Sequence, residues 1–328
     1  MNLVTGGTGF VGSHIVRALL ARGLPVRCLV RQESRRTNLE SLSIEIAVGD
    51  LTDPPSLREA VRGCRVVYHC AADYRLGARR PDALYASNVA GTDNLLRAAA
   101  DAAVERVVHT SSVGALGRRA DGLPADESTP VTPETLIGAY KKSKYEAERV
   151  AREWAGRGLP VVIVNPSTPV GERDVKPTPT GKMILDFLNR KMPAYVETGL
   201  NLIDVRDVAE GHLLAAERGC AGERYILGNR NMSLKEIFDA LSGLTGIPSP
   251  KWKLPHWVPL AAAGADLVIS RLRKKEPSIP LEGVRMSRHP MYFDAFRAVS
   301  ELGLPQNDVV PALGRAVAWF EANGYVRG

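Results

Sequence analysis

Tyr140 and Lys144 stand four residues apart in the run Tyr140-Lys141-Lys142-Ser143-Lys144, a spacing that makes two side chains neighbours on one face of a helix. A free tyrosine titrates near pH 10. To exchange a proton with a substrate oxygen at neutral pH its phenolate needs stabilisation, which a close cation supplies. Lys144 is placed to be that cation. Ser112 follows an apolar run over 106–110, and a hydroxyl there can hydrogen-bond a carbonyl oxygen while hydride arrives at the carbon. The three residues together describe proton and hydride transfer at a carbon–oxygen bond.

The amino-terminal stretch Val4-Thr5-Gly6-Gly7-Thr8-Gly9-Phe10-Val11-Gly12 has the composition of a dinucleotide cradle. Glycines at three-residue spacing let a pyrophosphate approach the backbone where no Cβ intervenes, and the amino end of the following helix favours its charge. Gly6, Thr8, Gly9, Phe10, Val11 and Gly12 are therefore candidate phosphate-loop residues. Val11, Ile15, Ala18, Leu19 and Arg22 continue at helical spacing until Gly23 stops the helix before Pro25. The residue that inspects the adenine ribose is expected about twenty positions past the glycines, and Arg31 stands there after the strand 26–30. A carboxylate at that point would accept from a ribose hydroxyl, whereas a guanidinium pairs with a 2′-phosphate. NADP(H) is thus preferred, with Arg35 and Arg36 adding positive charge; Glu33, between Arg31 and Arg35, keeps NAD(H) open.

Elements that could position these groups are readable. Short β-branched runs over 3–5, 26–30, 44–48, 65–70, 106–110 and 160–164 alternate with helical patterns near 55–61, 81–101 and 139–154. This predicts an α/β protein with a doubly wound parallel sheet of the Rossmann type. A Pro-rich segment over 166–180 breaks the alternation and opens a smaller, mostly helical carboxy-terminal substrate domain. Strands over 201–205 and 224–227, with a helix over 208–217 between them, are expected to return to the sheet. The expected division is 1–165 plus about 200–230 for the cofactor, and about 166–199 plus 231–328 for the substrate. Ligands of such sheets sit beyond the carboxyl ends of the strands, which singles out Asp50, Leu51, Ala71, Ala72, Ser111, Ser112, Pro166 and Thr168. Asp50 could accept from an adenine amino group, and the small side chains at 71 and 72 would let a cofactor lie against the sheet edge.

Composition narrows the class. The 328 residues are 45% hydrophobic and 24% charged, as in a soluble globular protein with a sizeable core. A strand from residue 2 leaves no room for a secretory signal, so the expected location is the cytoplasm. Cys28, Cys64, Cys70 and Cys220 lack metal-site spacing and read as reduced thiols; neither a metal nor a disulfide is expected. The net charge of +7 is diffuse. The one dense basic run, Arg271, Arg273, Lys274 and Lys275, has no interleaved aromatic platform, which argues against a nucleic-acid partner. It follows an apolar stretch over 256–269 that Pro259 and Asp266 interrupt, too short to span a bilayer. That stretch reads as a packed helix, with contact to a membrane surface the lesser alternative.

The chain resembles the extended short-chain dehydrogenases/reductases over nearly its whole length. The resemblance rests on TGGTGFVG at 5–12, Gly49-Asp50-Leu51, His69-Cys70-Ala71-Ala72, Asn88-Val89-Ala90-Gly91-Thr92, Thr110-Ser111-Ser112, YKKSK at 140–144 and Asn165-Pro166. It implies that Ser112 and Tyr140 polarise and protonate the substrate oxygen, that Lys144 lowers the tyrosine pKa and holds the nicotinamide ribose, and that Asn88 orders the site. It also implies a homodimer formed through helices around 83–101 and 140–154. Ala72-Asp73-Tyr74-Arg75-Leu76, 177–181 and 223–228 are closest to the dihydroflavonol-reductase-like branch and the hopanoid-associated sugar epimerase group. Sugar-nucleotide epimerases of this kind usually carry Arg-Pro in place of Asn165-Pro166 and an acid in place of Arg31. Related dehydratases place acids after the serine, where Val113-Gly114 stand here.

Several smaller signals remain. Tyr74, Arg75 and Arg79 occupy a loop beside the expected nicotinamide end, as substrate contacts or a solvated loop. His69 reads as a packed histidine, and Trp252, Trp257, Tyr292 and Phe293 as core more than as a substrate pocket. Asp204 and Arg206 stand where relatives often show His and Asp, without an explanation in the sequence. The leading expectation is an NADP(H)-dependent reductase or dehydrogenase acting on a ketone or secondary alcohol. Its rivals are a sugar epimerase that oxidises and re-reduces one carbon, and a nucleotide-sensing regulator, which would have no need of the Tyr-Lys pair.

Overall fold

Strand residues that are apolar on both faces need cover on both sides, and the computed structural model shows how this chain supplies it. The structure describes residues 1–73, 81–119, 121–272 and 281–326. Strands β1 (Asn2–Thr5), β2 (Val26–Val30), β3 (Glu45–Val48), β4 (Val66–His69), β5 (Arg106–Thr110), β6 (Val161–Pro166) and β10 (Arg224–Leu227) form one parallel sheet in the order β10-β6-β5-β4-β1-β2-β3. Successive side chains go to opposite faces: Val4, Val108 and Val164 join one core, and Leu3, Val107 and Ile163 the other. The first face is covered by α1 (Phe10–Ala21) and α7 (Val205–Arg218). The second is covered by α2 (Pro54–Val61), α4 (Gly91–Asp101) and α5 (Ala139–Gly156). The doubly wound Rossmann-type sheet is therefore present.

The single helix expected over 81–101 is three pieces. Helix α3 (Pro81–Tyr85) runs into a π-helical turn over Ala86–Ala90 before α4 begins. The wider turn carries Asn88, which is buried.

Two further small sheets lie outside the parallel one. Strands β7 (Thr168–Val170), β9 (Gly199–Asp204) and β11 (Arg230–Ser233) form a three-stranded sheet, and β8 (Ala194–Val196) pairs with β12 (Trp252–Leu254). The expectation that the strand near 201–205 returns to the main sheet is corrected here. Strand β9 pairs parallel with β7 and antiparallel with β11. Its side chains serve two cores, Leu202 facing the third cluster and Ile203 the first, so its apolar alternation does not reveal which sheet holds its backbone. The third cluster is built by α6 (Pro179–Leu188), α8 (Leu234–Thr245) and α11 (Val309–Ala322), with Phe187 and Phe238 stacked at 5.6 Å between centroids.

Trp252 and Trp257 were expected in the core and are instead 75% and 68% exposed, because the β8/β12 ribbon and the start of α9 (Trp257–Leu272) each leave a face uncovered. Phe293 is buried as expected. Helix α10 (Leu281–Met286) packs beside α9. Tyr74, Arg75, Leu76, Arg79, Arg273, Lys274, Lys275 and the side chain of Arg271 lie outside the described residues. Among the described residues no helix is long and apolar enough to cross a membrane, and no group of three His, Cys, Asp or Glu could hold a metal ion.

Candidate active site

Strand β5 ends at Thr110, and the chain turns through Ser111 and extended Ser112 into a single 3-10 turn over Val113–Ala115. Ser112 Oγ accepts from the Gly114 N–H at 3.0 Å. Helix α5 starts after Gly138, whose φ of 87° is open to glycine without strain, and delivers Tyr140 and Lys144 to this turn. Lys144 is buried, and its Nζ donates to the Thr110 carbonyl at 2.6 Å. Burial lowers its pKa to about 8 against the attraction of Glu148. Burial raises the Tyr140 phenol above its ordinary value, and the neighbouring Ser112 hydroxyl offsets part of the rise. This is the reverse of the lowering expected from Lys144, whose charge is directed at the Thr110 carbonyl. Ser112, Tyr140 and Lys144 nevertheless converge at the carboxyl end of β5.

A carboxylate that the sequence reading missed supports them. Glu148 is buried and accepts from Ser111 Oγ at 2.7 Å, Asn165 Nδ2 at 2.9 Å, Arg152 at 3.1 Å and Arg224 at 3.2 Å. Asn165 Nδ2 also reaches the Ser112 carbonyl at 3.1 Å, so the mouths of β5 and β6 are tied through one acid. The available signal was its position one helical turn beyond Lys144 on the same face. Asn88 Nδ2 donates to Ser143 Oγ at 3.0 Å and to the Asp73 carbonyl at 2.9 Å, and Asn88 Oδ1 accepts from the Asp73 N–H at 2.7 Å. His69 bridges Thr5 Oγ1 and Thr92 Oγ1 at 2.8 and 3.0 Å. Burial and then the Lys144 charge lower its pKa to about 3, so it is a neutral packed histidine, as read from the sequence.

The glycine loop fits a diphosphate. Gly6 has φ 72°, and a Cβ there would lie 2.7 Å from the Ala71 nitrogen; a Cβ on Gly12 would strike the Gly6 carbonyl. The amino end of α1 has no side-chain cap and no acid in its first turn, so its orphan N–H groups are open to an anion. Thr8 offers its carbonyl to Asn38 Nδ2 at 3.3 Å, and Phe10 packs edge-on to His14, a packing role. Val11 packs against the first core. Arg31 is 63% exposed with Nε 3.5 Å from Glu33, and Arg35 is exposed. Asp50 Oδ1 accepts from the Thr52 N–H and hydroxyl at 2.8 and 2.6 Å. Burial would raise the Asp50 carboxyl, but these bonds and Arg31 hold it below its ordinary value. Leu51 is buried in the second core, and Ala71 and Ala72 are half-buried beyond β4. Pro166, expected just beyond the strand over 160–164, is the last residue of β6, and Thr168 begins β7.

Asp204 and Arg206 also gain an account. Asp204 caps α7 by accepting from the Arg206 N–H at 3.0 Å and pairs with Arg315. Arg206 and Arg315 both reach Glu172, at 2.8 and 3.1 Å.

A doubly wound sheet with an uncapped glycine-loop helix defines a dinucleotide-dependent class. Residues 2–228 match the NAD dependent epimerase/dehydratase family, and the chain belongs to that family of NAD(P)-dependent oxidoreductases. It is 53% identical to a putative dihydroflavonol 4-reductase from Synechocystis over 99% of this chain and 95% of that protein. It is 36% identical to sterol demethylase protein B from Methylococcus capsulatus over 99% of each. A crystal structure of a nucleoside-diphosphate-sugar epimerase from Pseudomonas aeruginosa superposes with a TM-score of 0.82 at 30% identity, covering 99% of both chains.

Proposed function

We propose that this protein is an NADP(H)-dependent oxidoreductase that interconverts a ketone and a secondary alcohol. The convergence of Ser112, Tyr140 and Lys144 at the mouth of β5, two strands from the glycine loop after β1, carries the reading. NADP(H), when bound, supplies or accepts hydride. Ser112 Oγ holds the substrate oxygen, and Tyr140 Oη donates a proton to it in the direction of reduction. Lys144, with a pKa of about 8, fixes the tyrosine and the ribose hydroxyls beside it. Gly6, Thr8, Gly9, Phe10, Val11 and Gly12 cradle the diphosphate, and Arg31 with Arg35 reads the 2′-phosphate. Asp50 and Leu51 meet the adenine, while Ala71, Ala72, Pro166 and Thr168 line the ribose and nicotinamide end, which buried Asn88 orders through Asp73 and Ser143. The division of 1–165 plus about 200–230 from the rest then separates cofactor from substrate. The active form is a homodimer through helices near 83–101 and 140–154, which a monomer mass in solution would contradict. An epimerase is the second reading, favoured by the likeness to the Pseudomonas aeruginosa sugar epimerase.

The test is oxidation of NADPH and of NADH by the purified protein across a panel of ketones, with Tyr140→Phe alongside. Net NADPH consumption is expected, with kcat/KM at least about tenfold above that for NADH and at least about 100-fold lower in the variant. Epimerisation of nucleotide sugars by a tightly held dinucleotide, with no net NADPH consumed, would replace the reading.

A further inference from the structure

Two indoles whose type suits a core stand in solvent. Trp252 lies on β12 and Trp257 opens α9 five positions later, so no more than about 18 Å separates their Cα atoms. Among the described side chains of α9, the exposed ones are Trp257, Ala261, Ala262 and Ala265, which share one arc of the helix with half-buried Val258. Buried Ala263 and Ser270 take the opposite side. Asp266 is the only charged residue from 257 to 267, and it is half-buried, accepting from the Ser270 hydroxyl at 3.5 Å. A surface helix ordinarily turns its charges to water and its apolar stripe to the core, and α9 turns an apolar arc outward. We propose that this arc, with the β12 strand that leads into it, seats the protein on an anionic lipid surface.

Charge selects the occupant. Lys251 and Lys253 flank Trp252, and Arg190 and Lys191 precede β8, which pairs in parallel with β12; all four are exposed. Glu197, paired with Lys253, is the only acid in 189–198 or 249–256. The apolar face thus has a basic rim. A second copy docked face to face would bring the two rims together, like charge on like charge, whereas phosphate headgroups neutralise them. Apart from the Trp257 indole N–H, the side chains of the arc offer no hydrogen bond, which a specific protein interface uses and a hydrocarbon boundary does not need. Indoles favour the headgroup level, where the ring is buried and the N–H stays wet, and lysine stems cross apolar surface to set their ammonium on a phosphate. With 16 residues α9 falls short of the roughly 20 that span a bilayer, so it lies along the surface.

This contact is independent of the reaction, and its test needs no substrate. The purified protein would be sedimented with phosphatidylcholine vesicles, with and without phosphatidylglycerol. Partitioning is expected to be at least about tenfold stronger onto the anionic vesicles, to weaken as salt is raised, and to shift tryptophan emission to the blue. Trp252→Ser combined with Trp257→Ser should reduce it at least about tenfold, and Arg190→Gln, Lys191→Gln, Lys251→Gln and Lys253→Gln combined should erase the preference for anionic lipid. Arg65→Gln, at an exposed position paired with Glu105, should change neither. Both indoles are exposed, so the double variant should keep its urea midpoint; Ala261→Glu, which puts a charge on the arc and removes neither indole, should give the same loss by a second route. No partitioning onto anionic vesicles, or partitioning that survives either the double tryptophan substitution or Ala261→Glu, would overturn the assignment, as would self-association of the unsubstituted chain in solution that the same substitutions abolish.

Discussion

Lys144 carries an ammonium almost wholly out of water, at 4% exposure, with the Thr110 carbonyl as its hydrogen-bond acceptor. Such a charge is costly to fold. Its pKa of about 8 against an ordinary 10.5 corresponds to roughly 3 kcal/mol lost at neutral pH. Lys144→Met would remove that cost and forfeit one hydrogen bond of about 1 kcal/mol, so the variant should be more stable by roughly 2 kcal/mol at pH 7 while losing activity. The gain shrinks with base. Because the folded value lies below the unfolded one, the penalty is full below about pH 8 and fades as the pH approaches 10.5. Urea denaturation at pH 7 and pH 9.5 checks this; a variant less stable at both would show that attraction to Glu148 outweighs burial. The contrast with Glu148 shows what was readable at this scale. Tyr140 and Lys144 announce themselves through one local spacing, whereas the partners of Glu148 come from Ser111, Asn165 and Arg224, which only the folded chain brings together.

Where neighbouring elements touch, backbone packing leaves little room for side chains. Gly12 sits in the first turn of α1 with the Gly6 carbonyl in the space a Cβ would take, and neither group is a flexible side-chain end. Gly12→Ala must displace loop or helix, at about 2 kcal/mol of stability and at least about tenfold in NADPH affinity, read by denaturation and fluorescence titration. Unchanged affinity would remove the cradle from cofactor binding. The strands and helices of the parallel sheet were legible because each needs only its own periodicity. Strand β9 was legible as a strand and not as a member of the second sheet, since Leu202 and Ile203 satisfy different cores. The π-helical turn at Asn88 left no trace in the periodicity, for one widened turn shifts the pattern by a single residue.

Across the whole molecule, the glycine-loop helix, the second sheet and the last helix are joined by one acid. Glu172 receives Arg206 of α7 and Arg315 of α11, lies 3.6 Å from His14 Nε2 of α1, and sits near Asp204, which Arg315 also binds. Burial would raise its carboxyl, yet His14, backbone and Arg206 together hold it well below the usual carboxylate range. Glu172→Gln keeps the shape and removes the charge. Arg206, 59% exposed, can turn to water and Arg315 retains Asp204, so the expected loss is roughly 2 kcal/mol, below that of an ion pair stripped of every partner. A depressed folded pKa means that this contribution is complete above the unfolded value near 4.5 and drains away as the pH falls below it. Urea midpoints of the two proteins should therefore stand apart at pH 7 and draw together at pH 3.5. A gap that is the same at both values would mean that Glu172 holds these helices by shape alone, and the junction between the two cores would then owe nothing to its charge.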